Sequence, residues 1–270
     1  MAKKKTKEEI QLHSQNALKT LESLLNSYIE SEDYSIVSKA DKLSYWLEAY
    51  SRLLKNETTF IPSKLKRYKR GEILKIDLGY NVGSEEGGLH YCIVLDKNNS
   101  IHNPVITVVP LTSVKPTTNL EKLRPGSIYL GNSLYITMFT KLSSLEKVFT
   151  QESKKIINHC DALEEVIQKA LLENSEDNPS EEALKFIFEE LAKIKEEAAD
   201  TNAKKAFIEK VLAEISKMKQ GSIALISQIT TVSKLRIYDP KTSRDVLSGI
   251  RLSNENLDAI DEEIKKLYLK

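Results

Sequence analysis

The chain has 270 residues, 40% hydrophobic and 29% charged, the proportions of a soluble globular protein of one or two domains. Forty basic residues stand against thirty-nine acidic ones, a formal charge of +1, so contact with a polyanion has to come from local patches rather than from an overall field. The basic start MAKKKTKEEI lacks the apolar core of a signal peptide, and nowhere do 18 apolar residues run together, so a cytoplasmic protein without membrane contact is expected.

In chain order, Leu18, Leu21, Leu24, Leu25, Tyr28 and Ile29 fall at three-and-four spacing between about Glu8 and Glu30. Leu43, Trp46, Leu47, Tyr50, Leu53 and Leu54 repeat the spacing after a polar turn at Glu30–Asp33, which predicts an N-terminal helical hairpin over residues 1–62. Trp46 sits on the apolar side of its helix and is expected in the core. Pro62 breaks the pattern, and Lys64, Lys66, Arg67, Lys69 and Arg70 then surround Tyr68 in a basic run.

From Gly71 the period becomes strand-like. EILKIDL, YCIVL, VITVVPL and SIYL are short, rich in Ile, Val and Leu, and separated by Gly, Asn, Pro and Ser, the signature of a small sheet or barrel. Strand character fades around Leu134–Leu145. Helical spacing follows over residues 144–219, broken by the loop NSEDNPS, capped again at Ser180, interrupted around Asp200–Asn202 and ended by Gly221. SIALISQI reads as a strand, Asp239 and Pro240 as a turn, and a last helix starts from a Ser253 cap. The fold class expected is α+β: a small β-rich domain from residues 63–143 and 220–270, carrying the N-terminal hairpin and a helical insertion at 144–219.

Cys92 and Cys160 are expected as free thiols. His13, His90, His102 and His159 show no metal-site spacing, so neither a metal nor a cofactor is expected, and His159 reads as a helix-surface residue.

The ordered segments RGEILKIDLGYNVGSEEGG, VITVVPLTS and, much later, GSIALISQITTVSKLR resemble the PemK/MazF family of toxin endoribonucleases from type II toxin-antitoxin systems. Arg70, Gly71 and Glu72 match the family's opening; Gly83, Ser84, Glu85, Gly87 and Gly88 its loop; Thr112 its threonine; Ser222 to Val232 its late segment. The resemblance implies a small curved, SH3-like, barrel-like fold, a homodimer with single-stranded RNA such as mRNA across its interface, and an antitoxin partner. Where the family carries an arginine after the glycine pair, this chain reads Leu89, His90, Tyr91.

RNA cleavage without a metal needs a base for the 2′-hydroxyl proton, an acid for the 5′-oxygen and donors for charge on phosphorus. Histidine, with an ordinary pKa of about 6.5, suits either proton role. The candidate catalytic residues are therefore His90, with Thr112 and Ser84 as hydroxyl donors to phosphate oxygens. Each has a plainer alternative: a hydrogen-bonded histidine at a strand edge, a threonine satisfying a turn. Candidate RNA contacts are Lys66, Arg67 and Arg70 on phosphates, Tyr68 stacking a base, and Glu85, Gly87 and Gly88 shaping the loop. The added helices are candidates to cover the site in cis or to receive an antitoxin. The rival reading is a non-catalytic protein on the same fold, binding DNA, gyrase as the related CcdB-type toxins do, or an antitoxin.

Overall fold

The computed structural model describes residues 4–173 and 180–269 and holds, among these, five α-helices and a seven-stranded antiparallel sheet. The strands are β1 (Ile73–Asp77), β2 (Leu89–Val94), β3 (Val105–Ser113), β4 (Ser127–Tyr129), β5 (Ser222–Leu225), β6 (Thr230–Ser233) and β7 (Ile237–Asp239). Their order is β4-β5-β3-β2-β1-β7, with β6 also on β3. Strands β4 and β7 do not pair, so the small curved sheet expected from the sequence is present but stays open.

Alternation of side chains across each strand makes two cores. Ile73, Ile93, Val109 and Leu111 point to the helices, where they meet Met138, Val211 and Ile260. Leu74, Ile76, Cys92, Val94, Ile106 and Val108 point the other way and close with Tyr68 and Ile237. A one-residue slip in any of these strands would exchange the two sets, so the double burial fixes the register. Burial also raises the Cys92 thiol to about 12, which leaves it an inert core residue.

Helices α1 (Lys7–Ile29) and α2 (Tyr34–Glu57) form the N-terminal hairpin, capped by Thr6 and Asp33. Within α1 no residue is buried, whereas α2 buries Ala40 and Leu43. Helices α3 (Ser133–Glu173) and α4 (Glu181–Lys217) run along each other and are tied by charged pairs. Lys204 Nζ lies 2.7 Å from Glu152, and the His159 ring lies 2.7 Å from Glu190 and 3.4 Å from Glu197. Hydrogen bonds to those two glutamates raise the His159 pKa. Helix α5 (Asn254–Tyr268) starts from the Ser253 cap as its sequence indicates.

Four local expectations are corrected. Helix α3 begins at Ser133 rather than at Ser144: the β-branched and aromatic residues of SLYITMFT mask an i, i+4, i+8 core face of Leu134, Met138 and Leu142. Helix α4 runs unbroken through Asp200–Asn202, because these residues contain no Gly or Pro and Asp200 pairs with Lys204 one turn on at 2.6 Å. It ends at Lys217, where Met218 turns extended, four residues ahead of Gly221. SIALISQI does not form one strand; a 3-10 turn at Ile226–Gln228 separates β5 from β6. The expected loop NSEDNPS lies, except for Ser180, outside the described residues, and Ser180 caps α4 by accepting from the Ala183 N–H.

One polar link fastens α4 to the sheet. Glu214 Oε1 accepts from Lys75 Nζ at 2.6 Å and from the Tyr91 hydroxyl at 2.5 Å. Burial alone would raise the Glu214 pKa, but those two donors outweigh it and hold it below the usual carboxylate range. A depressed folded value gives stability that is present above the unfolded pKa of about 4.3 and is lost as pH falls through the folded one. Glu214→Gln is expected to cost about 1–3 kcal/mol at pH 7 in urea unfolding, and progressively less as the pH falls below about 4.3. A loss that stays the same from pH 7 down to the acid limit of folding would show that charge is not what Glu214 contributes.

Candidate functional site

The loop between β1 and β2, residues 79–88, is closed at its neck by backbone bonds: Leu78 N–H to Gly88 O at 2.8 Å and Gly88 N–H to Gly79 O at 2.7 Å. Gly88 has φ +84, and a Cβ on Gly87 would come within 2.7 Å of Gly79 O, so both positions require glycine. Inside the loop Asn81 Nδ2 donates to Glu86 O at 2.6 Å, and the Glu85 carboxylate accepts from Val82 N–H at 3.2 Å. Gln228 holds the tip from outside, donating to Ser84 O at 3.3 Å and accepting from Glu86 N–H at 3.4 Å. Glu85 thus folds the loop with its carboxylate, while Ser84 is exposed at the tip.

His90 follows directly. It pairs with Ile76 across β1, and its ring is one-fifth exposed. Nδ1 lies 3.0 Å from Leu111 O, and Nε2 lies 3.1 Å from Gly87 O and 3.5 Å from the Glu86 carboxylate. A carbonyl only accepts, so both ring contacts are hydrogen bonds when both nitrogens carry protons, and a neutral ring makes one of them. The imidazole therefore pins the glycine pair of the loop to the end of β3.

The same ring opens on a cleft of about 220 Å³ lined by His90, Thr112, Ser113, Lys217, Lys219 and Ser222, together with apolar side chains. Its assembly follows from pairing: Thr112 faces Ile223 and Ser113 faces Ser222 across β3 and β5, which brings the end of α4 against β2 and β3. No carboxylate lines it. His90 and Thr112, far apart in sequence, are thus brought together; Ser84 is not among the residues that line the cleft. Lys217 and Lys219 escaped the sequence reading, because two lysines at a helix end carry no local signal of what the returning chain will place beside them.

The basic run lies elsewhere. Gly71 bonds Val94, four residues along β2 from His90, about 14 Å at strand spacing. Lys66 pairs with Glu72 at 2.8 Å, and Arg70 is bound to Asp261 and to Leu95 O. Tyr68 is 1% exposed, donates to Pro240 O at 2.8 Å and offers no ring face for a base. Arg67 alone of the four named there is exposed. The core position expected for Trp46 is also corrected: its ring is half-buried, stacks under the Arg236 guanidinium at 5.0 Å and lies over Gly79. With Tyr45, Tyr238 and Gly88 it lines a second hollow of about 740 Å³, while Glu86, Thr230, Thr231 and Arg236 line a third of about 760 Å³. The loop is shared by both.

Among the described residues no cluster of three or more His, Cys, Asp or Glu is placed to hold a metal ion, and no helix is long and apolar enough to cross a membrane. A family model described as the PemK-like, MazF-like toxin of type II toxin-antitoxin systems matches residues 69–169, from the basic run into α3. No curated protein matches the chain.

Replacing His90 by Phe keeps a ring and removes both carbonyl bonds. Amide exchange at Gly88 is expected to quicken and stability to fall by about 1–2 kcal/mol. Exchange as slow as in the wild type would mean that the backbone bonds alone hold the loop.

Proposed function

We propose, from the match of residues 69–169 to the PemK-like, MazF-like toxins of type II toxin-antitoxin systems, that this chain is a toxin of that kind and a metal-independent endoribonuclease acting at the His90–Thr112 cleft. Its substrate is single-stranded RNA, including mRNA, and its products end in a 2′,3′-cyclic phosphate and a 5′-hydroxyl. The same proposal includes a homodimer and an antitoxin partner.

The observation that carries the reading is a titratable ring beside a threonine hydroxyl in a cleft that no carboxylate lines. In the reaction the 2′-oxygen bonds to phosphorus as the bond from phosphorus to the 5′-oxygen breaks, so one proton leaves the 2′-hydroxyl and one arrives at the 5′-oxygen. The bond from Nδ1 to Leu111 O fixes the ring and makes Nε2 the working nitrogen. A proton on Nε2, held towards Gly87 O in the free protein, passes to the leaving 5′-oxygen once the substrate replaces that carbonyl, and the 2′-hydroxyl proton goes to solvent water. The Thr112 hydroxyl donates to a non-bridging oxygen, where charge builds. Ser84 has no part in this reading, since it stands outside the cleft.

A second reading has a specific observation in its favour. Both His90 nitrogens already face backbone carbonyls, which is also what a purely structural histidine does. On that reading the chain keeps the toxin fold and binds DNA, gyrase or an antitoxin without cutting RNA.

Incubation of single-stranded RNA with the protein in EDTA separates the two. The wild type is expected to cut, His90→Ala to be slower by a factor of about 100 or more, and Thr112→Val to be slower by about tenfold. Cleavage at equal rates by the wild type and His90→Ala would remove His90 from the chemistry, and cleavage by neither would favour the second reading.

A further inference from the structure

Two of the residues that line the cleft beside His90, Lys217 and Lys219, come from outside the family-matched segment. Helix α4 ends at Lys217, Met218 turns extended, and Lys219 leads to Gly221 and into β5. The Met218 side chain packs against the helix-facing core together with Val211 and Ile215. With its middle residue anchored inward, the Lys-Met-Lys sequence presents its two exposed lysines to the mouth of the cleft.

Lysine at a helix end often does no more than complement the negative pole of the helix dipole. Here the surroundings say more. Across the cleft stand Thr112, Ser113 and Ser222, all with hydroxyls that can donate to an anion, and His90. The carboxylate that feels Lys217, Glu214, is already bonded to Lys75 and Tyr91, and Glu86, 3.5 Å from His90 Nε2, lies outside the cleft lining. Neither lysine is in an ion pair among the described residues. Two uncommitted cations and a row of hydroxyls in a concavity of about 220 Å³ suit a nucleic-acid backbone, whose successive phosphodiesters each carry a charge and two non-bridging oxygens that accept hydrogen bonds.

We infer that Lys217 and Lys219 bind the phosphodiester backbone of single-stranded RNA at the His90 cleft. The inference rests on the proposed function for its choice of polymer. It gives the α3–α4 pair a role in the site: α4 ends by delivering the positive charge that the arginine of the resembling family brings where this chain has His90.

The test uses a single-stranded oligoribonucleotide with 2′-O-methyl groups, which binds but cannot be cleaved through the 2′-oxygen. Its affinity for the full chain is followed by fluorescence anisotropy from 50 to 300 mM salt. Each phosphate contact on a single strand contributes about 0.7 to the slope of log affinity against log salt. The Lys217→Ala/Lys219→Ala double variant is expected to bind about tenfold more weakly at low salt and to lose about 1.4 from the slope. Lys217→Arg/Lys219→Arg is expected to keep both, and Lys205→Ala/Lys210→Ala, on the same helix but outside the cleft, to change neither. A double alanine variant with wild-type affinity and slope would overturn the inference, as would an equal loss in the Lys205/Lys210 control. Failure of the wild type to cut unmodified RNA would remove the proposed reaction but leave this phosphate site standing on its salt slope.

Discussion

Everything at the candidate site depends on how β3 shares its edges. One edge pairs with β2 from Val108 to Pro110; the other is divided, β6 taking Val105–Val108 and β5 taking Leu111–Ser113. Because β5 follows α4 directly, this second pairing obliges a chain that has left the sheet for two long helices to return beside Thr112. The cleft is the consequence: β2 supplies His90, β3 supplies Thr112 and Ser113, and the returning chain supplies Lys217, Lys219 and Ser222. Pairing between distant segments is entropically costly to form, and here the buried faces of Val109, Leu111, Ala224 and Ile226 offset that cost.

The histidine has two duties on this scaffold. Its contacts to Leu111 O and Gly87 O join β3 to the loop neck, so the ring is positioned by backbone and not by mobile side chains. In the proposed reaction, Nε2 acts only once something displaces Gly87 O. On the other side of the loop, α2 presses Trp46 against Gly79 beneath Arg236, so the N-terminal hairpin buttresses the segment that His90 closes. Mechanical support of the loop, rather than a lid over the cleft, is what the contacts of α2 provide; Trp46 does not line the His90 cleft.

Much of this was legible in the sequence, and for identifiable reasons. Short Ile-, Val- and Leu-rich runs between turn residues, EILKIDL, YCIVL and VITVVPL, announced β1 to β3, and the caps at Ser180 and Ser253 mark helix starts that side-chain chemistry fixes locally. The short strands β6 and β7 were not legible, because three or four residues hold too little pattern and gain their pairing from β3 and β1. The basic run showed the limit of reading charge without partners: Lys66 and Arg70 meet Glu72 and Asp261, and the latter is nearly two hundred positions away in the chain. Lys217 and Lys219 show the same limit from the other side, since their company is set by a strand pairing and not by their neighbours.

On the proposed route, a phosphodiester is opened at the cleft by its own 2′-oxygen, with His90 moving a proton and no group of the protein bonding to phosphorus. The chemistry of the ends records that route directly. Analysis of RNA fragments by mass spectrometry and by enzymatic end-labelling should find 2′,3′-cyclic phosphates and 5′-hydroxyls. Fragments ending in 5′-phosphates and 3′-hydroxyls, or RNA that stays intact, would contradict it.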